Sequence, residues 1–388
     1  MYMRRQYLRA VGLGVIVLIL AGTGRGSESE QTAEDGLRST MRAIFQALTT
    51  ALPLSLNAEQ FQDEANRPAI HQALQALADN AARLSNHAQD VPARFDFLRQ
   101  SLNSNAQEAL DLFEQGHSEE SRFLIHQLTD NCFLCHSRVP SSRPFPLGKH
   151  LLDHVPMSQL SPHERVRLAV AARQFDTALT TCEALFRSDD ISATEIDLMA
   201  FFEDYMRIAI RVNNDFARVI KTLEDFRQRS DVPRYLDQQL MGWIDSLKTL
   251  QDGLGQGDEL LRGRELIQQG QHRNRFLADR QGLVYFIVAS SLLHRYVNTG
   301  TESKPKLAEA YYYLGVAESY VPRTSWISET EFLLETAIRL APTSPYGKKA
   351  FAFLEEYLIV GYSGSSGLHL PSDVKRRLDD LRQITQGS

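Results

Sequence analysis

The chain has 388 residues, of which 43% are apolar and 23% charged. That is enough apolar surface for real cores, over a length that suggests roughly two to three domains. Lys and Arg number 42 against 48 Asp and Glu, a formal charge of −6, which argues against a nucleic-acid-binding surface. Three cysteines exclude a disulfide scaffold.

Residues 1–26 read as an export signal: Arg4, Arg5 and Arg9 precede an apolar run over 11–21 and a small-residue exit at 21–24. The run is shorter than the ~20 residues of a membrane span, so the expected protein is periplasmic, with no integral span after cleavage. The segment MRRQYLR at 3–9 is similar to a twin-arginine signal, with Met3 where Ser or Thr is usual, and the export route stays open.

Residues 31–138 carry apolar positions at three- and four-residue steps, which predicts four helices. The first, over 33–52, has the face Leu37, Met41, Ile44, Phe45 and Leu48. Residues 53–66 read as a loop. The second, over 67–90, has Pro68 in its first turn and Ile70, Leu74, Leu77, Ala81 and Leu84 on its stripe. Pro92 opens a third, carrying Phe95, Leu98, Leu102 and Leu110, and Gly116 ends it. Ser118 with Glu119 and Glu120 starts a fourth that runs to about His136. Short connections imply an up-and-down four-helix bundle.

Residues 139–160, with Pro140, Pro144 and Pro146, read as a linker. Over 161–360 helices come in pairs: 164–172 with 176–187, 195–212 with 216–229, then 235–250. A glycine-rich break follows at 252–258. The β-branched stretch 283–297 has the length of a buried helix, and 306–320, 328–340 and 346–360 form a further stack. Paired helices that cannot each bury an apolar face imply a solenoid. Residues 361–388 read as a loop and a C-terminal helix. The expected class is all-α, a bundle followed by a helical repeat domain.

The chemistry concentrates at Cys132, Phe133, Leu134, Cys135 and His136, a C-x-x-C-H pattern. Residues three and four apart share a helix face, so two thiols and an imidazole can meet one flat macrocycle. The thiols would form thioethers with two vinyl groups, and His136 would bind the iron. Zinc needs four ligands and no second C-x-x-C exists. A redox dithiol would call for a βαβ context that is absent. The expected cofactor is one covalent haem c.

With this motif closing the fourth helix, residues 33–138 resemble the class II c-type cytochromes, the cytochrome c′ group. The resemblance implies a haem bundle whose sixth iron position is empty or filled by a Met on the first helix, here Met41. Bundle geometry places Met41 at the same end as His136, because the first and fourth helices run in opposite directions. His87 is the other candidate at that end, while His71 and His117 fall at the far end. Phe95 and Leu98 are expected pocket walls, and Arg38, Arg83 and Arg138 are candidates for the haem propionates. Arg38 precedes Met41 by three residues where the group commonly has four. The second half resembles degenerate tetratricopeptide repeats through Leu314, Gly315, Leu334, Ala337 and Pro342.

His150 and His154 form an i,i+4 pair without a third ligand and read as a solvated face. Cys182 lies in an apolar stretch and reads as a buried inert thiol. The functional expectation is a non-enzymatic, one-electron carrier whose repeats dock a protein redox partner. The alternatives are a gas-binding sensor with five-coordinate iron and a repeat scaffold with structural haem. The resemblance leaves a dimer open.

Overall fold

The structure is a computed structural model that describes residues 25–86, 96–137, 145–194, 198–253, 257–276, 279–298, 302–321, 329–365 and 367–387. Residues 1–24 of the expected signal, His87, Phe95 and Arg138 lie outside the described residues. The chain is all-α, with seventeen α-helices among the described residues and one two-residue β pairing, Ser363–Gly364 with Gly367–Leu368. Among the described residues no helix is long and apolar enough to cross a membrane.

The first part consists of α1 (Arg25–Ser55), α2 (Ala58–Gln62), α3 (Arg67–Asn86), α4 (Asp96–Glu114) and α5 (Ser118–His136). α1 continues through Pro53. The stretch read as a loop at 53–66 holds α2, because the Asn57 side chain accepts from the Gln60 amide at 3.1 Å and Phe61 is buried edge-on to Phe113.

Helix directions follow from the polar contacts. The end of α1 meets the start of α5, where Ser55 Oγ lies 3.2 Å from His126 Nε2 and Arg122 Nε donates to the Ser55 carbonyl at 2.7 Å. The start of α3 meets the end of α4 through His71 and Glu114, 2.8 Å apart. At the other end Arg99 Nη1 donates to the Leu84 carbonyl at 3.3 Å. Ser121 Oγ donates to the Ala109 carbonyl at 2.7 Å. Neighbouring helices therefore run antiparallel around a core that includes Ile44, Leu48, Ile70, Leu74, Phe113 and Ile125.

The stretch expected as a linker is largely helical. α6 (Pro146–His154) starts with proline in its first turn, and a 3₁₀ turn follows at Met157–Gln159. Phe145 packs edge-on to Phe45, and Leu151, Val155 and Leu160 join the first core. A Cβ on Gly148 would fall 1.9 Å from the Ala172 carbonyl oxygen, so glycine is required where α6 crosses the next helix. Of the prolines that suggested a spacer, Pro146 marks a helix start, and Pro140 and Pro144 lie outside the described residues.

That next helix is α7 (Pro162–Ala171), opened by a capping box between Ser161 and Glu164. It is followed by α8 (Phe175–Arg187), α9 (Leu198–Arg207) with a π-helical turn at Ile208–Val212, α10 (Phe216–Arg227) and α11 (Arg234–Gly253). The remainder is α12 (Glu259–Arg273), α13 (Leu283–Asn298), α14 (Lys304–Tyr320), α15 (Glu329–Leu340), α16 (Pro345–Gly361) and α17 (Ser372–Gln386). Most sequential neighbours pack on one another, as in α7 on α8, α12 on α13, α13 on α14 and α14 on α15.

α12 is absent from the sequence reading. Its buried face uses Gly263 and Gly270 where an apolar stripe would show larger residues, because Leu293 and Phe286 of α13 occupy the space a Cβ would need. α13 itself is buried on every side from Leu283 to Ser290. The β-branched residues there serve a helix enclosed by neighbours.

α5 and α7 are joined by charge as well as by packing. Arg167 pairs with Asp130 of α5 and lies 3.9 Å from Asp204 of α9, and all three are buried. Asp204 also receives His163 Nε2 at 3.0 Å and Arg207 at 3.3 Å. Burial pushes the Asp204 carboxyl up, but His163, Arg207 and Arg167 together hold it below its usual range.

Candidate functional site

The C-x-x-C-H motif occupies the last turn of α5, where helical periodicity divides it between two cores. Cys132, 8% exposed, belongs to the core among α1, α3, α4 and α5. Phe133 and Leu134 point the other way and pack with Val166 and Val170 of α7, with the Arg167 guanidinium 5.4 Å from the centre of the Phe133 ring. Cys135 and His136 are half-buried.

The three chemically active side chains nevertheless share one cavity of about 210 Å³, partly open to solvent. α5 contributes Asn131, Cys132, Cys135 and His136. α1 contributes Leu37 and Met41, α3 contributes Leu84, and α4 contributes Leu98, Arg99 and Leu102. Arg173 reaches in from the corner between α7 and α8. Asn131, 1% exposed, is hydrogen-bonded to Asn105 and Ser101 of α4, which fixes the turn that presents Cys132.

The imidazole is oriented by the array. His136 Nδ1 lies 3.4 Å from the Val170 carbonyl oxygen. A carbonyl only accepts, so Nδ1 carries the hydrogen and Nε2 keeps its lone pair. Burial, then the charge of Arg173, push the His136 pKa down to about 4. At neutral pH the ring is thus neutral with Nε2 available to an electrophile, the form that ligates a metal. Burial, then Asp130, push the Cys132 thiol up to about 12. Burial, then Asp204 and Glu183, raise Cys182 well above its usual range, and both thiols stay protonated.

The depressed imidazole predicts a pH dependence in the polypeptide carrying nothing at this site. A histidine that binds its proton less readily when folded contributes full stability above the unfolded pKa of 6.5. That contribution is lost as pH falls toward about 4. The loss amounts to about 3 kcal/mol. Urea midpoints measured from pH 7.5 to 4.5 should fall less steeply in His136→Gln than in the native chain. Parallel slopes would refute the burial argument, since the other shifted groups, including His126, are common to both.

Of the residues singled out by sequence, Met41, Leu98, Cys132, Cys135 and His136 line the one cavity. Phe95, His87 and Arg138 lie outside the described residues. Arg83 is exposed and is not among the lining residues. Arg38 is half-buried on α1, close enough to bear on the protonation of Arg173. His71 sits at the opposite end against Glu114. The His150 and His154 rings lie 4.0 Å apart, tilted by 53°, on an exposed face. Among the described residues no three of His, Cys, Asp and Glu converge to hold a metal ion.

The sequence reading missed Arg99, Asn131, Arg173 and the Val170 carbonyl. Arg99 interrupts an apolar stripe, which reads as a surface position. Arg173 and Val170 are 34 or more residues beyond His136 and carry no motif. No family model, no curated protein and no solved structure matches this chain.

Proposed function

We propose that this chain is an exported c-type cytochrome that carries one covalent haem and transfers single electrons. In this reading the helices α1, α3, α4 and α5 form an up-and-down haem bundle. The helices from α7 onward form a degenerate, tetratricopeptide-like array that docks a protein redox partner. The observation that carries the reading is the convergence of Cys132, Cys135, His136 and Met41 on one cavity walled by Leu37, Leu84, Leu98 and Leu102.

These residues fit a haem. The walls are apolar, as a macrocycle requires, and the two thiols and the imidazole sit on one helix turn. A haem supplies an iron that changes charge by one unit while its surroundings move little. Cys132 and Cys135 would hold it by adding S–H across two vinyl groups, each sulfur bonding to carbon and each hydrogen passing to the neighbouring carbon. His136 would present Nε2 to the iron, with Nδ1–H kept on the Val170 carbonyl. Met41 would offer its thioether from α1, which raises the potential of a His-ligated iron. The apolar walls would favour the less charged, reduced form of a bound haem.

A specific contact also favours the sensor reading. The motif is gripped by α7 through Val170 and through the Arg167–Asp130 pair, so a change at the iron would reach the array directly.

The test is the mass and spectrum of the chain produced with cytochrome maturation machinery. One haem added to the polypeptide mass and a c-type absorption spectrum are expected. Cys132→Ala with Cys135→Ala should abolish the covalent haem. A native chain of unmodified mass, purified colourless, would overturn the proposal.

A further inference from the structure

We propose that the first half of α11 and the turn between α12 and α13 form a membrane-docking surface that recognises anionic phospholipid. The proposal does not depend on the haem reading. Three large apolar side chains stand exposed there: Tyr235 at 66%, Phe276 at 65% and Met241 at 44%.

The fold brings them to one place. Tyr235, Gln238 and Met241 recur at three-residue steps and share one face of α11. The turn is laid against that face. Gln281 Nε2 donates to the Gln238 carbonyl at 3.4 Å, and a Cβ on Gly242 would fall 1.8 Å from Gln281 Oε1. Next to them the buried Trp243 donates Nε1 to the Arg280 carbonyl at 2.7 Å. The described residues of the turn are held by their own polar groups. Asp279 accepts from the Arg275 and Gln281 amides at 2.9 and 3.0 Å, and Asn274 Oδ1 accepts from the Gly282 amide at 2.7 Å. Phe276 therefore projects from a formed turn that is anchored on the α11 face.

Charge selects the partner. Arg234 opens α11, Arg273 closes α12 and Arg275 precedes Phe276, and all three are exposed. Among the described residues none of the three has an acidic partner. Arg273 lies 5.8 Å from the centre of the Tyr285 ring, a neutral contact. The neighbouring acids are engaged elsewhere: Asp237 pairs with Arg227 at 2.6 Å, and Asp279 holds the turn. Asp245, one turn beyond Met241, is the exposed acid at the rim. The surface is thus cationic on a chain of net charge −6.

Arginine binds a phosphate through two parallel hydrogen bonds. Phenylalanine, methionine and tyrosine beside it can enter the layer under the headgroups, with the tyrosine hydroxyl left at the polar level. A side chain with two thirds of its surface in water stands out from the protein and does not line a groove. That shape suits a lipid layer, which it can penetrate, better than an acidic peptide, which needs a groove to lie in. Attachment of this kind is peripheral and needs no spanning helix.

The experiment uses the full chain carrying Phe276→Trp, with emission read as the difference from the native chain. The probes are vesicles of phosphatidylcholine and vesicles of equal parts phosphatidylcholine and phosphatidylglycerol. The reporter sits on the turn, so binding that brings lipid only to another part of the chain produces no shift. The anionic vesicles should shift the emission to the blue, and the neutral ones should not. In this background Arg273→Gln and Arg275→Gln should each weaken binding about fivefold. Added salt should weaken it as well. Tyr235→Ser should weaken it without changing the salt dependence, and the exposed Lys149→Gln of α6 should have no effect.

Absence of a shift with anionic vesicles overturns the proposal. An equal shift with neutral vesicles, or arginine variants that bind like the parent, overturns the recognition of anionic headgroups. A shift with soluble polyglutamate and none with vesicles assigns the surface to an acidic protein, which also overturns it.

Discussion

Replacing Arg167 with methionine is expected to destabilise the protein by about 3–5 kcal/mol, the cost of stranding a buried charge. Arg167 is 8% exposed and faces Asp130, at 7%, and Asp204, at 0%. Asp204 keeps Arg207 and His163 when Arg167 is lost. Asp130 has no comparable second cation: burial already pushes its carboxyl above the usual range, and Arg167 is the main influence in the other direction. Without Arg167 a charged Asp130 becomes so costly that the carboxyl takes up a proton. The penalty is therefore largest at neutral pH and shrinks in acid, where the protonated carboxyl needs no partner. Urea unfolding at pH 7 and pH 5 checks both the size and the sign. Pairing Arg167→Met with Asp130→Leu should recover part of the loss, because it removes the stranded charge. A loss below about 1 kcal/mol at pH 7, in the range of surface pairs, would show that α5 and α7 are held by packing alone.

That joint was the least legible part of the sequence. The four helices through His136 could be read from periodic apolar stripes, and the start of α5 from Ser118 with two following acids. Such signals are local, and each needs only a few residues of the same chain segment. The Arg167–Asp130 pair connects residues 37 positions apart, and both look like ordinary surface charges until the fold brings them together. α6 was misread for a local reason, since Pro146 can begin a helix as readily as it breaks one. α12 was missed because its close approach to α13 demands glycine at two positions where a stripe would have shown leucine. At the site, Cys132, Cys135 and His136 were legible from spacing, whereas Arg173 depends on where the α7–α8 corner lands. A motif specifies the atoms that react, and the tertiary fold specifies what surrounds them.

Under the proposed haem reading, Met41→Ala carries the second large effect, on the iron the chain would hold. Met41 is half-buried on α1, packs against the first core and lines the same cavity as His136. If its sulfur is the sixth ligand, the native chain is low-spin and indifferent to carbon monoxide. The alanine variant becomes high-spin and binds the gas, because nothing in alanine can coordinate. The stability cost of the truncation should stay near the low end for a large-to-small change, about 2 kcal/mol, since the side chain faces a cavity that already exists. Leu37→Ala supplies the control: it removes a similar volume from the same helix and cavity without removing a ligand, and its spectrum should stay native. A low-spin Met41→Ala protein would transfer the role to another residue, for which His87→Ala in the same background is the direct check. A native chain that is already high-spin and takes up carbon monoxide would make Met41 a wall of the pocket. The contacts of Val170 and Arg167 with the end of α5 would then favour gas sensing over electron transfer, because α7 is in place to follow a change at this site.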